Sequence, residues 1–183
     1  MWSPAGKLLA GIALGGSGPI GSALRLTGLF EVDPTGQQPA MRVLADSSGI
    51  NAFCIAPDGF IYGPALTRLV RIHLESGAIE TLGEGFGFLG AVRYNALDQA
   101  LYLLDVAPPD NPQAPALYRT SLDGQDQELF ARLSAQPEAT LAAADNFVIA
   151  DDGTLYVTRF LRPVITRVSA DGSRIDDINV GER

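Results

Sequence analysis

The chain has one cysteine, one histidine and one tryptophan in 183 residues, and these scarcities exclude several classes of protein. With Cys54 alone no intrachain disulfide forms, so the fold must rest on its core. His73 has no Ser or Cys partner motif and no G-x-S-x-G elbow is present, which excludes a nucleophilic triad. No His or Cys cluster supports a zinc centre. Basic residues are also few: 13 against 21 acidic ones, for a net charge of −8, and they are scattered. A nucleic-acid backbone or an anionic membrane surface needs a clustered Lys/Arg patch, so neither is an expected partner. The longest apolar stretch near the start, Lys7 to Leu14, is far too short to cross a bilayer. It has some features of a signal-peptide core, but the same residues align with a strand elsewhere in the chain, and the strand is the preferred reading. The compartment stays open.

What the chain does have is 46% hydrophobic and 19% charged residues, together with 20 glycines and 12 prolines that fall mostly between apolar runs. That is the pattern of a soluble globular domain of many short strands joined by turns. A repeat of about 46 residues organises it. Asn51-Ala-Phe-Cys-Ile-Ala-Pro-Asp-Gly-Phe-Ile-Tyr62 aligns without gaps on Asp145-Asn-Phe-Val-Ile-Ala-Asp-Asp-Gly-Thr-Leu-Tyr156, with Ala91 to Tyr102 as a weaker copy. Pro4-Ala-Gly-Lys-Leu-Leu9 is a half copy that begins at the turn. A second landmark closes on Gly36, Gly77, Gly124 and Gly172, which lie 41, 47 and 48 residues apart. A period of 40 to 50 with strand-like content predicts β-propeller blades.

The expected fold is therefore all-β: a propeller of four-stranded antiparallel blades over residues 1–46, 47–86, 87–135 and 136–183. Three blades are complete and the first lacks its innermost strand. That gap implies a portion of a larger propeller, or a partner chain that completes it, with self-association through open blade edges as a further expectation. The proline-rich connection Ala107 to Pro115 reads as a stiff exposed loop. Gly15 to Gly21 reads as a flexible loop rather than a phosphate cradle, since no Lys-Ser/Thr follows. Ser134 to Ala144 is the only helix-compatible stretch.

Innermost strands line a propeller's channel, so the residue just ahead of each sits at the mouth, where a small-molecule ligand is expected. The gapless alignment places Asn51, Ala91 and Asp145 there. Oxygen donors from separate blades suit a hard divalent cation such as Ca²⁺ or Mg²⁺. Asp58, Asp98, Asp123, Asp152 and Asp171 repeat in register with turns and read as architectural, as does Asp105 at a strand end. Cys54, between Phe53 and Ile55, reads as a small core residue. Arg71, Arg119 and Arg167 form a repeated row, read as pairing between neighbouring blades.

Ala144-Asp-Asn-Phe-Val-Ile-Ala-Asp-Asp-Gly-Thr-Leu-Tyr-Val-Thr158 followed by Val164-Ile-Thr-Arg-Val168 resembles the superfamily of six-bladed propellers that contains senescence marker protein, gluconolactonase and luciferin-regenerating enzyme. Asn51 with Ala56-Pro-Asp-Gly59 carries the same pattern, as does Leu101 to Asp105. The resemblance implies a metal-dependent hydrolase of lactones or related esters, incomplete in this chain. It implies a divalent metal at the mouth, Ca²⁺ first, with Mg²⁺, Mn²⁺ or Zn²⁺ as alternatives. Asp145 would be metal ligand and catalytic base, and Asn51 a second ligand. The competing reading is a noncatalytic propeller that binds a ligand or a protein.

Overall fold

The computed structural model describes every residue except 2, 5, 13–27, 34, 36–39, 46–49, 51, 113, 134–143, 160–161 and 182–183. The loop at Gly15 to Gly21 and the helix-compatible residues 134–143 thus lie outside the described residues, as does Asn51. Among the described residues there is no helix.

The described residues form fifteen strands in four antiparallel sheets. The first holds β1 (Leu8–Ile12), β2 (Gly28–Asp33) and β3 (Ala40–Ala45). The second holds β4 (Cys54–Ile55), β5 (Phe60–Ala65), β6 (Arg68–His73) and β7 (Ile79–Gly83). The third holds β8 (Leu89–Asn95), β9 (Ala100–Asp105), β10 (Ala116–Thr120) and β11 (Glu128–Arg132). The fourth holds β12 (Ala144–Ile149), β13 (Leu155–Arg159), β14 (Val164–Val168) and β15 (Ile175–Asn179). Strand order within each sheet follows chain order, as in propeller blades. The first sheet has three strands, as expected, and Met1 exchanges backbone hydrogen bonds with Leu9 on the side where an innermost strand would run.

The blades stack in sequence because period-2 alternation gives each one two apolar faces. Leu9, Leu29 and Leu44 of the first blade pack on Phe53, Ile61 and Ile72 of the second. The other face of the second blade, with Cys54, Tyr62 and Leu69, meets Val92, Leu101 and Leu103 of the third. Tyr102, Leu104 and Leu117 of the third then meet Phe147, Leu155 and Val157 of the fourth. Truncating any fully buried leucine here should cost about 2–5 kcal/mol. On the last face, with Val148, Tyr156 and Ile178, no other described blade packs, and Val148 is 58% exposed.

One layer recurs in three blades. Tyr62, Arg71 and Glu80 lie side by side on β5, β6 and β7. So do Tyr102, Arg119 and Glu128, and Tyr156, Arg167 and Asp176. The arginines pair with those acids at 2.8, 3.0 and 2.8 Å. The arginine row therefore ties outer strands within a blade, not neighbouring blades to each other, because cross-strand neighbours are nearer than anything on the next sheet. Tyr62 and Tyr102 donate their hydroxyls to the turn aspartates Asp58 and Asp98, at 2.6 and 2.9 Å. Gly124, at φ 77°, joins the third blade's outer strands, and a Cβ there would lie 2.7 Å from the carbonyl of Leu82 on the second blade. Gly172 meets Phe130 on the third blade in the same way, at 2.6 Å. These turn glycines serve close approach as well as positive φ.

Candidate functional site

The inner strands β4, β8 and β12 come together at the centre of the fan. Ala52 and Ala91 form a parallel bridge between blades, with the Val92 N–H donating to the Ala52 carbonyl at 2.8 Å. The ladders show which mouth positions are equivalent. Cys54, Arg93 and Val148 pair with Tyr62, Tyr102 and Tyr156, so Ala52, Ala91 and Asn146 correspond, and Asn51, Gly90 and Asp145 stand one residue earlier. The gapless alignment is thus off by one in the third blade. The turn between Asn95 and Ala100 has one more residue than its counterparts, and Gln99 takes a positive φ of 55° within it.

Asp145 is exposed at the start of β12, where a bulge between Ala144 and Asn146 lifts it out of the ladder. The same bulge occurs between Leu89 and Ala91, which places Gly90 beside Asp145. A side chain at Gly90 would crowd the Asp145 carbonyl at 3.2 Å and the Val106 methyl at 3.0 Å, so the third blade offers bare backbone at the mouth. Asn146 is the neighbour that is engaged: its Oδ1 accepts from Arg93 Nη2 at 2.7 Å and from the Phe147 N–H at 2.8 Å.

Arg93, which the repeat gives no reason to single out, is the central group. Its Nη1 donates to the carbonyls of Phe53 and Val92, at 3.2 and 2.8 Å, and its Nε to the Phe147 carbonyl at 3.1 Å. One side chain thus holds three inner strands together. Burial pulls its pKa down from the ordinary guanidinium value, and the carbonyls that surround it keep the charge solvated by protein dipoles. The sequence signal was an arginine where the other blades have Cys54 and Val148.

Other candidates fall into structural roles. Asp105, fully buried at the end of β9, accepts from the N–H groups of Gly87, Phe88 and Ala107 at 2.9, 2.9 and 3.1 Å, and so fastens the crossing into β8. Asp58, Asp123, Asp152 and Asp171 each cap the backbone N–H two residues on. Cys54 is buried, and desolvation pushes its thiol up to about 12, as suits an inert core residue. His73 does have a hydroxyl nearby, Ser76 Oγ at 3.1 Å from Nδ1, but the Ser76 N–H donates to the same nitrogen and the pair closes an exposed outer turn.

A hard cation takes six to eight oxygens. Among the described residues the mouth provides one free carboxylate, Asp145, beside an amide oxygen already used by Arg93. No group of three or more His, Cys, Asp or Glu is placed to hold a metal ion among the described residues. These residues alone do not complete a divalent-cation site.

Four consecutive antiparallel blades, with the first strands of the second, third and fourth gathered at the centre, define a β-propeller fold. Compared by sequence, the chain matches no protein-family model and no curated protein. Solved structures do match. The chain is similar to a calcium-binding protein, regucalcin, from Agrobacterium tumefaciens, at 19% identity and TM-score 0.60, over 84% of this chain and 54% of that one. It is similar to a gluconolactonase from Xanthomonas campestris, at 14% identity and TM-score 0.58, over 84% and 55%. It is likewise similar to virginiamycin B lyase from Staphylococcus aureus, at 18% identity and TM-score 0.57, over 84% and 49%. The chain spans about half the length of these proteins, and at such identities the likeness concerns the fold. No helix among the described residues is long and apolar enough to cross a membrane.

Proposed function

We propose that this propeller hydrolyses lactones or related small esters at the channel end where Asp145 stands. The observation that supports this reading is the placement of Asp145: an exposed carboxylate, raised on a bulge at the head of an inner strand, next to the open backbone of Gly90. In that role Asp145 accepts a proton from water as its oxygen adds to the acyl carbon. The acyl–oxygen bond then breaks, and the leaving alkoxide takes the proton back to give a hydroxy acid. A divalent cation, Ca²⁺ before Mg²⁺, Mn²⁺ or Zn²⁺, belongs to the proposal through Asp145 and Asn51, and when bound it would polarise the carbonyl. The fold it shares with a gluconolactonase agrees with the reading.

The test is proton release from a panel of small lactones. Asp145→Asn should lower kcat/KM about 100-fold to 10,000-fold, the usual contribution of an acid–base group. Turnover that survives the change overturns the assignment. The second reading, a noncatalytic binding propeller, is favoured by a different observation: apart from Asp145, the described inner positions are Gly90, Ala52, Ala91 and an Asn146 already committed to Arg93. It predicts ligand binding without turnover.

A further inference from the structure

Arg159 ends β13 and is only 6% exposed, yet its Nη1 and Nη2 have no hydrogen-bond partner. Its Nε donates to Thr166 Oγ1 at 3.1 Å, and Thr166 in turn donates to Asp177 at 2.6 Å. The guanidinium is therefore clamped on one edge, and the other edge presents two parallel donors. A second guanidinium, Arg162, is near enough for its charge to oppose that of Arg159, while among the described residues Asp177 is the acid that favours it. Two arginines against one carboxylate, already bonded to Thr166, leave an excess of positive charge in an otherwise acidic chain. A buried unpaired guanidinium is strongly unfavourable unless an acceptor meets it.

The geometry points to Arg159 as the recognition group of a small-oxyanion site at the end of β13, with Arg162 as supporting charge. The ligand class follows from the free edge: two N–H donors in one plane match the two oxygens of a carboxylate or phosphate. The strand ladder pairs Arg159 with Ala144, the residue before Asp145, so the site adjoins the channel mouth. Anion binding at this site does not depend on hydrolysis.

The experiment is thermal unfolding of the whole chain at constant ionic strength, in chloride, in inorganic phosphate and in malonate. An anion at about ten times its Kd should raise the Tm by roughly 3–6 °C. The more effective of the two anions identifies the oxyanion. Arg159→Met should abolish the rise, and Arg159→Lys, which keeps the charge without the two-pronged edge, should lose most of it. If the methionine variant does not fold, the lysine variant decides. Asp145→Asn should keep the rise, which separates this site from the proposed base. No rise in the wild type, or an equal rise in the Arg159 variants, overturns the proposal.

Discussion

The second strands of the third and fourth blades end at the same place with opposite charges. Asp105 pairs across the sheet with Leu89, Arg159 with Ala144, and each stands beside the bulge that exposes a mouth position. Asp105 is filled by three backbone N–H groups, two of them from the crossing that leads into its own blade. Arg159 keeps two guanidinium nitrogens without an acceptor. One backbone position thus serves two ends: in the third blade it closes the structure on itself, and in the fourth it holds donors in reserve.

The contrast is broken most severely at the closed corner. Asp105→Ala leaves three N–H groups with no acceptor and should cost about 3–5 kcal/mol, read as a large fall in the midpoint of chemical denaturation. A loss under 1 kcal/mol would mean that the crossing holds without the carboxylate. Next comes the centre shared by both blades. Arg93→Met removes four hydrogen bonds that join three strands and should cost about 2–4 kcal/mol, with Arg93→Lys recovering part of it. A smaller effect separates the blades by their tyrosines. Tyr62→Phe and Tyr102→Phe each lose a bond to a turn aspartate and should cost about 0.5–1.5 kcal/mol, while Tyr156→Phe, on the uncovered face, should be near neutral.

The smallest effect is one of pH. Ser169 and the Ser173 N–H hold the Asp171 carboxyl down to about 2, below its ordinary 3.8. A depressed folded pKa gives stability that is present above about pH 4 and lost as pH falls toward 2. Asp171→Asn should flatten that part of the acid-unfolding curve. An unchanged curve would show that the turn is held by its backbone alone.

The architecture was legible because Asp-Gly turns and alternating apolar residues recur at blade spacing, and antiparallel sheets recur at that spacing in the structure. The mouth was less so. A single extra residue before Gln99 moves the third blade's mouth position from Ala91 to Gly90, a shift that no gapless alignment detects. Arg93 stands out only as a departure from the repeat, an arginine where the corresponding residues are Cys54 and Val148, whereas a repeat draws attention to what blades share. The direction of the arginine row had a signal that went unused: Arg71 and Glu80, Arg119 and Glu128, and Arg167 and Asp176 all lie nine residues apart, the spacing of partners across one hairpin. Arg159 follows an unremarkable Tyr-Val-Thr, and only its depth in the structure sets it apart.

The glycine turns of the outer rim have a consequence for how such a chain grows. Gly124 seats on Leu82 and Gly172 on Phe130, so the third and fourth blades each carry their own joint to the blade before. A duplicated segment of one period arrives with its fastening already formed, and needs no compensating change in its neighbour. Modules joined in this way lengthen by whole steps and in one direction, which makes blade number a quantity that gene duplication can alter while the joints between blades stay the same.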